Sequence, residues 1–146
     1  MAQTPIQLIA EDHRRIEDLF EKFDNSDGRR RDAIATMIFD ELDAHAIMEE
    51  EVFYPSLKAE EDSEISNIVS ESYEEHAKVK QIILQLREMN PAENEFSDGM
   101  EELKRNVEHH VHEEESRMLP YAEEKLSDDE MEEVAEDMKQ LKVKMR

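Results

Sequence analysis

Cysteine and tryptophan are missing from this chain of 146 residues, and glycine and proline number only two and four. Without cysteine there can be no disulfide, no thiolate metal site and no iron–sulfur cluster. Scarce glycine and proline leave few turns, and a composition rich in Glu, Leu, Met and Ala favours helix over strand. No apolar run approaches the roughly 20 residues of a membrane span, and no signal-peptide core opens the chain. These absences set the expectation of a cytoplasmic protein. Positive charge is also scarce: 18 Lys and Arg stand against 40 Asp and Glu, a net charge of −22. Such a surface repels phosphates, so neither nucleic acid nor an anionic membrane is an expected partner. It does attract cations.

What is present is periodic. Charged residues make up 40% of the chain, which on composition alone borders on disorder, but the apolar residues recur at helical spacing. Thr4, Pro5 and Gln7 form a helix start with a capping box, followed by Ile6, Ile9, Ile16, Leu19, Phe20 and Phe23 on one face with His13 among them. Asp24 to Gly28 reads as a turn. A second helix runs from about Arg29 to Tyr54, where Pro55 should end or kink it, with a short helical segment to about Glu60. A third spans about Asp62 to Met89 and stops at Asn90-Pro91. A fourth covers about Glu93 to Leu119, with Pro120 as its stop. Ser127 and Glu130 open a fifth, about 128–145, whose apolar positions Met131, Val134, Met138, Leu141 and Met145 form a narrow seam. The expectation is one all-α domain over 1–146: an up-and-down four-helix bundle (about 5–121) with an added C-terminal amphipathic helix. The seam is expected to pack on the bundle, leaving a monomer or a weak homodimer through that helix.

One spacing occurs twice. His45-x3-Glu49-x5-Pro55 returns as His110-x3-Glu114-x5-Pro120, and single histidines, His13 and His76, lie on the helix preceding each copy. Residues four apart on a helix stack on one face, about 5–6 Å between Cβ atoms. Each pair can therefore aim an imidazole and a carboxylate at the same point of the core. Two buried carboxylates need compensating charge, and a cation supplies it. Four imidazoles with two bridging carboxylates suit two metal ions, iron first and manganese second; zinc, which prefers closed four-coordinate sites, is less natural. In the fourth helix His110/Glu114 continues the apolar line of Leu103 and Val107, whereas His109/Glu113 would follow the polar Glu102 and Asn106. His109 and His112 are therefore expected at the surface. The acidic runs are expected to be solvated outside their one ligand, and the tyrosines to be packing residues.

These residues resemble the hemerythrin-like, HHE cation-binding family over roughly Ile6 to Tyr121. The family pattern is a first-helix His and an H-x3-E ahead of an apolar-apolar-Pro stop, then the same again, here ending in Phe53-Tyr54-Pro55 and Met118-Leu119-Pro120. The resemblance implies an oxo- or hydroxo-bridged di-iron centre held by His13, His45, Glu49, His76, His110 and Glu114. It also implies binding of O₂ or a related ligand such as NO or peroxide, in sensing, binding or iron handling. In hemerythrin itself the third helix gives two histidines four apart. Here Ser72 and Lys80 flank His76 at that spacing, so a fifth histidine is absent, with Glu75, Tyr73, His109 or water as candidates for its place. Ferritin-like E-x-x-H and zinc-hydrolase H-E-x-x-H motifs are also absent, and no enzymatic turnover is expected. The competing reading is a metal-free acidic helical adaptor that binds a partner through its C-terminal seam.

Overall fold

The computed structural model describes residues 3–58 and 62–145, which contain helices and no strand. Helix α1 (Pro5–Asp24) starts on the expected capping box: Gln7 N–H donates to the Thr4 hydroxyl, and the Gln7 side chain accepts from Thr4 N–H. Gly28, at φ +56°, supplies the left-handed residue that turns the chain into α2 (Gly28–Met48). Helices α4 (Ser63–Glu88) and α5 (Asn94–Glu113) form the second antiparallel pair. A Cβ on Gly99 would lie 2.5 Å from Leu86 Cδ2, so glycine lets these two helices close together.

Pro120 does not end its helix, against expectation, and at Pro55 the chain carries on into the short helical segment expected there without a break. Residues Glu49–Phe53 and Glu114–Met118 are π-helical, and the helices resume as α3 (Tyr54–Lys58) and α6 (Leu119–Lys125) straight through Pro55 and Pro120. The bonds at the junctions span five residues, Tyr54 N–H to the Glu49 carbonyl and Leu119 N–H to the Glu114 carbonyl. An α-helical proline lacks its own donor and presses its ring on the carbonyl four residues back. A wider turn just before it relieves that conflict, and such single π-turns cluster at functional positions. The expected continuation to about Glu60 passes Lys58 into 59–61, which lie outside the described residues.

The interior is layered. One apolar cluster gathers Phe20, Phe23, Ile38, Leu86, Met100 and Leu103; another gathers Ile9, Met48, Phe53, Leu57, Val69 and Met118. Between them each long helix contributes polar side chains: Asp12 and His13, His45 and Glu49, Ser72 and His76, His110 and Glu114, all buried. The C-terminal helix α7 (Asp128–Lys144), capped by Ser127 and Glu130, lies against α1, α2 and the first π-turn. It buries Met131, Val134, Ala135 and Met138, so the first half of the apolar seam belongs to the bundle.

Met138 is fully buried. Met138→Ala should therefore lower stability by about 2–5 kcal/mol, read as a shift in urea midpoint, while Val143→Ala on the exposed flank should change nothing. An unchanged midpoint for Met138→Ala would show α7 undocked in solution.

Candidate metal centre

All six residues expected at the site meet in the polar layer. His13, His45, Glu49 and Glu114 form one group whose ligand atoms lie within 4.8 Å of one another, and Glu49, His76 and His110 form a second. The four imidazoles turn Nε2 inward. His13 Nε2 lies 3.0 Å from Glu114 Oε1, and His45 Nε2 and His76 Nε2 lie 3.2 and 3.1 Å from Glu49 Oε1. His110 Nε2 lies 3.2 Å from Glu114 Oε2 and 3.8 Å from Glu49 Oε1. The carboxylates are fully buried, and Glu49 belongs to both groups. Of the three histidines near the end of α5, His110 is buried, while His109 is 66% exposed beside the outer carboxylate Glu75 and His112 is exposed.

A second ring of carboxylates faces the other imidazole nitrogens. Nδ1 of His13 donates to Glu115 (2.7 Å), that of His45 to Asp12 (2.9 Å) and that of His110 to Glu75 (2.7 Å), while Glu50 stands 3.4 Å from His76 Nδ1. A carboxylate only accepts, so the Nδ1 protons of His13, His45 and His110 are fixed and Nε2 is turned inward, where a ring that gives up its second proton can offer a lone pair to a metal. Three cations extend the ring outward, Arg14 onto Glu115, and Arg15 together with Lys142 of α7 onto Asp12.

Three of these partners went unread in the sequence. Glu115 and Glu50 sit in runs expected to be solvated, and Asp12 looked like one acid among forty. Their common signal is adjacency, because Asp12 precedes His13 and Glu50 and Glu115 follow Glu49 and Glu114. Tyr54 is a clearer correction. Expected as packing, it donates its hydroxyl to Glu114 Oε2 (2.8 Å) and stands 3.2 Å from Glu49 Oε1, 3.2 Å from His76 Nε2 and 3.5 Å from His110 Nε2. The Tyr54 phenol, from α3, thus reaches the polar layer on the side of buried Ser72. Glu75 is engaged with His110 Nδ1, and Tyr73 donates to the Glu50 carbonyl.

The residues fit a cation. His13 Nε2, His45 Nε2, Glu49 Oε2 and Glu114 Oε1 are buried, converge on one space and have no hydrogen-bond partner; the 3.0 Å approach of His13 to Glu114 is not aligned for one. Orphaned buried groups of this kind are costly unless something satisfies them. Burial opposes charge on His45, yet Glu49 and Asp12 push it up to about 10, and His110 is likewise held well above the usual imidazole range. Burial opposes charge on Asp12 too, but His45 and Lys142 hold it down to about 2. Burial together with Glu49 and Glu114 pushes Tyr54 far up.

The comparisons agree with the geometry. The hemerythrin HHE cation binding domain matches residues 4–122, and again 69–145 across the second half. A DNA nickase of Nostoc sp. is 30% identical over 143 residues, covering 95% of this chain and 39% of that protein. An uncharacterized hemerythrin-like protein of Schizosaccharomyces pombe is 29% identical over 90 residues, covering 62% of this chain and 44% of that protein. The chain thus spans about two-fifths of the length of these relatives. The crystal structure of a hemerythrin HHE cation binding domain-containing protein of Mycobacterium kansasii superposes with a TM-score of 0.86 at 26% identity, covering 99% of this chain and 88% of that one. No described helix is long and apolar enough to cross a membrane.

Two measurements test the site. The stability of the metal-free protein should fall as pH drops from 3.8 towards 2, where Asp12 gains a proton, and as pH rises from 6.5 towards 10, where His45 loses one. A metal needs the deprotonated imidazole, so its affinity should instead climb with pH over that upper range, with proton release visible by calorimetry in buffers of different ionisation enthalpy. Glu114→Ala should lose metal and His112→Ala should retain it; the reverse result would break the α5 register. By motif, layered fold and paired His/Glu clusters, the chain belongs to the hemerythrin HHE cation binding domain family.

Proposed function

We propose that this protein holds two iron ions in its polar layer and presents them to O₂, peroxide or NO, as a binding, sensing or iron-handling protein rather than an enzyme. One observation carries the reading: four inward imidazoles share two buried carboxylates, and Glu49 belongs to both donor groups. His13 and His45 would hold one ion, His76 and His110 the other, with Glu49 and Glu114 between them. The Tyr54 hydroxyl, among His76, His110 and both glutamates, offers a further oxygen to the second ion. Iron held there supplies one-electron chemistry and a coordination position for a small ligand; imidazole and carboxylate donors suit it, with manganese as the substitute. The chain's own part is rigidity. Asp12, Glu75 and Glu115 fix three rings, and the apolar layers above and below keep bulk water from the carboxylates.

The Nostoc relative raises a nucleic-acid role. We set it aside for this chain because a net charge of −22 repels a phosphate backbone. With Fe²⁺ or Mn²⁺ added, supercoiled plasmid should stay supercoiled; its conversion to open circles would overturn this.

Protein purified from iron-replete cells should carry about two irons per chain by metal analysis, in keeping with the two donor groups. Its near-ultraviolet spectrum should change with dithionite and return in air. No stoichiometric metal would refute the reading and leave the acidic adaptor.

A further inference from the structure

Between α2 and α4, beside the candidate metal centre, lies a cavity of about 460 Å³. Its floor is the site itself, with the rings of His13, His45, His76 and His110 alongside Val107 and Val111. Its walls are aliphatic: Leu42, Ala46 and Ile47 from α2, Val79, Ile83 and Leu84 from α4. Ile47 and Leu84 are two of the four large apolar residues that the described chain exposes, at 41% and 57%, and both belong to this cavity. The space far exceeds the need of a diatomic ligand. It falls within the about 300–1,000 Å³ typical of sites for organic molecules, which are mostly apolar with a few polar groups that fix orientation.

Charge decides which organic molecule. Four charged side chains, Asp43, Glu50, Lys80 and Arg87, line the cavity. Arg87 is shared by Asp40 and Asp43 at 3.2 Å each, and Glu50 faces His76. Lys80 is exposed, one helical turn beyond His76, and among the described residues its side chain makes no ion pair or hydrogen bond, although the chain holds 40 acids to 18 bases. At the inner end the buried Glu49 and Glu114 would repel an anion, so a negative group is favoured only at the mouth.

We propose that this cavity binds an aliphatic carboxylate, with the head group on Lys80 and the alkyl tail between α2 and α4, its end against the histidine layer. This goes beyond the metal reading and needs no metal to hold: apolar burial along the walls supplies the affinity and Lys80 the orientation. Bound there, the chain would cover the route from solvent to the His76–His110 side of the centre.

Octanoate titrated by calorimetry into the metal-free and iron-loaded protein tests it, with metal content measured on the same samples. A single saturable site is expected in both forms, with octanol binding more weakly than octanoate. Ala77, exposed on the cavity lining, offers a way to close it without touching the core. Ala77→Trp should abolish binding and leave the melting temperature and metal content unchanged. Lys80→Glu should weaken octanoate about fivefold, the scale of an exposed ion pair, and leave octanol alone, while Lys80→Arg should bind octanoate like the parent. No saturable octanoate binding, full binding by a folded Ala77→Trp, or equal affinity for octanol and octanoate would each overturn the proposal. Failure of the metal reading would show separately, as absent iron in protein that still binds octanoate.

Discussion

Two fully buried carboxylates, Glu49 and Glu114, sit at the centre of this bundle, ringed by four imidazoles and the Tyr54 hydroxyl. Leaving Glu49 or Glu114 ionised there would be prohibitive without positive charge close by, and the surroundings are arranged around that requirement. In the metal-free chain the compensation comes from protonated His45 and His110, which is why both imidazoles are displaced so far upward. Those rings lean on Asp12 and Glu75, and Asp12 in turn leans on Lys142 of the last helix. Charge therefore alternates outward from the core in shells, each stabilised by the next, until it reaches a surface where acids dominate. A bound cation replaces the innermost protons and leaves the outer shells intact.

The backbone is adapted to the same centre. Both glutamates open a π-helical turn, and both turns precede a proline. A regular helix through Pro55 and Pro120 would be strained, and the extra residue per turn relaxes that strain at the place where a side chain must be aimed inward. Tyr54 profits from this register. Directly before Pro55, it is carried round to the polar layer although a heptad count from His45 and Glu49 would not place it there.

That is also why some of the site was readable from the sequence and some was not. The polar layer was legible because it repeats: His45 with Glu49 and His110 with Glu114 carry the same spacing to the same kind of proline, and the apolar line through Leu103 and Val107 runs on to His110, the buried histidine of α5. The four long helices follow from apolar periodicity, with the capping boxes at Thr4 and Ser127 marking two starts. Asp12, Glu50 and Glu115 could not be picked out, because outer carboxylates are defined by their distance to a ring on another helix, and forty acids offer too many candidates. The continuation of the helix through Pro120, and the π-turns ahead of both prolines, were missed because the usual steric rule assumes an α-helical turn ahead of proline. The cavity between α2 and α4 depends on how two helices sit against each other, which no pattern within either one records.

The donor groups are also divided between the halves of the chain in an unequal way. His13, His45 and Glu49 come from the first helix pair but their group is completed by Glu114; His76 and His110 come from the second pair but need Glu49. Taken alone, either helix pair owns two imidazoles and one carboxylate, so neither donor group is complete until the two halves meet, and docking of the pairs is what assembles the layer. The halves are nonetheless not equivalent: Tyr54 stands before the first proline and Leu119 before the second.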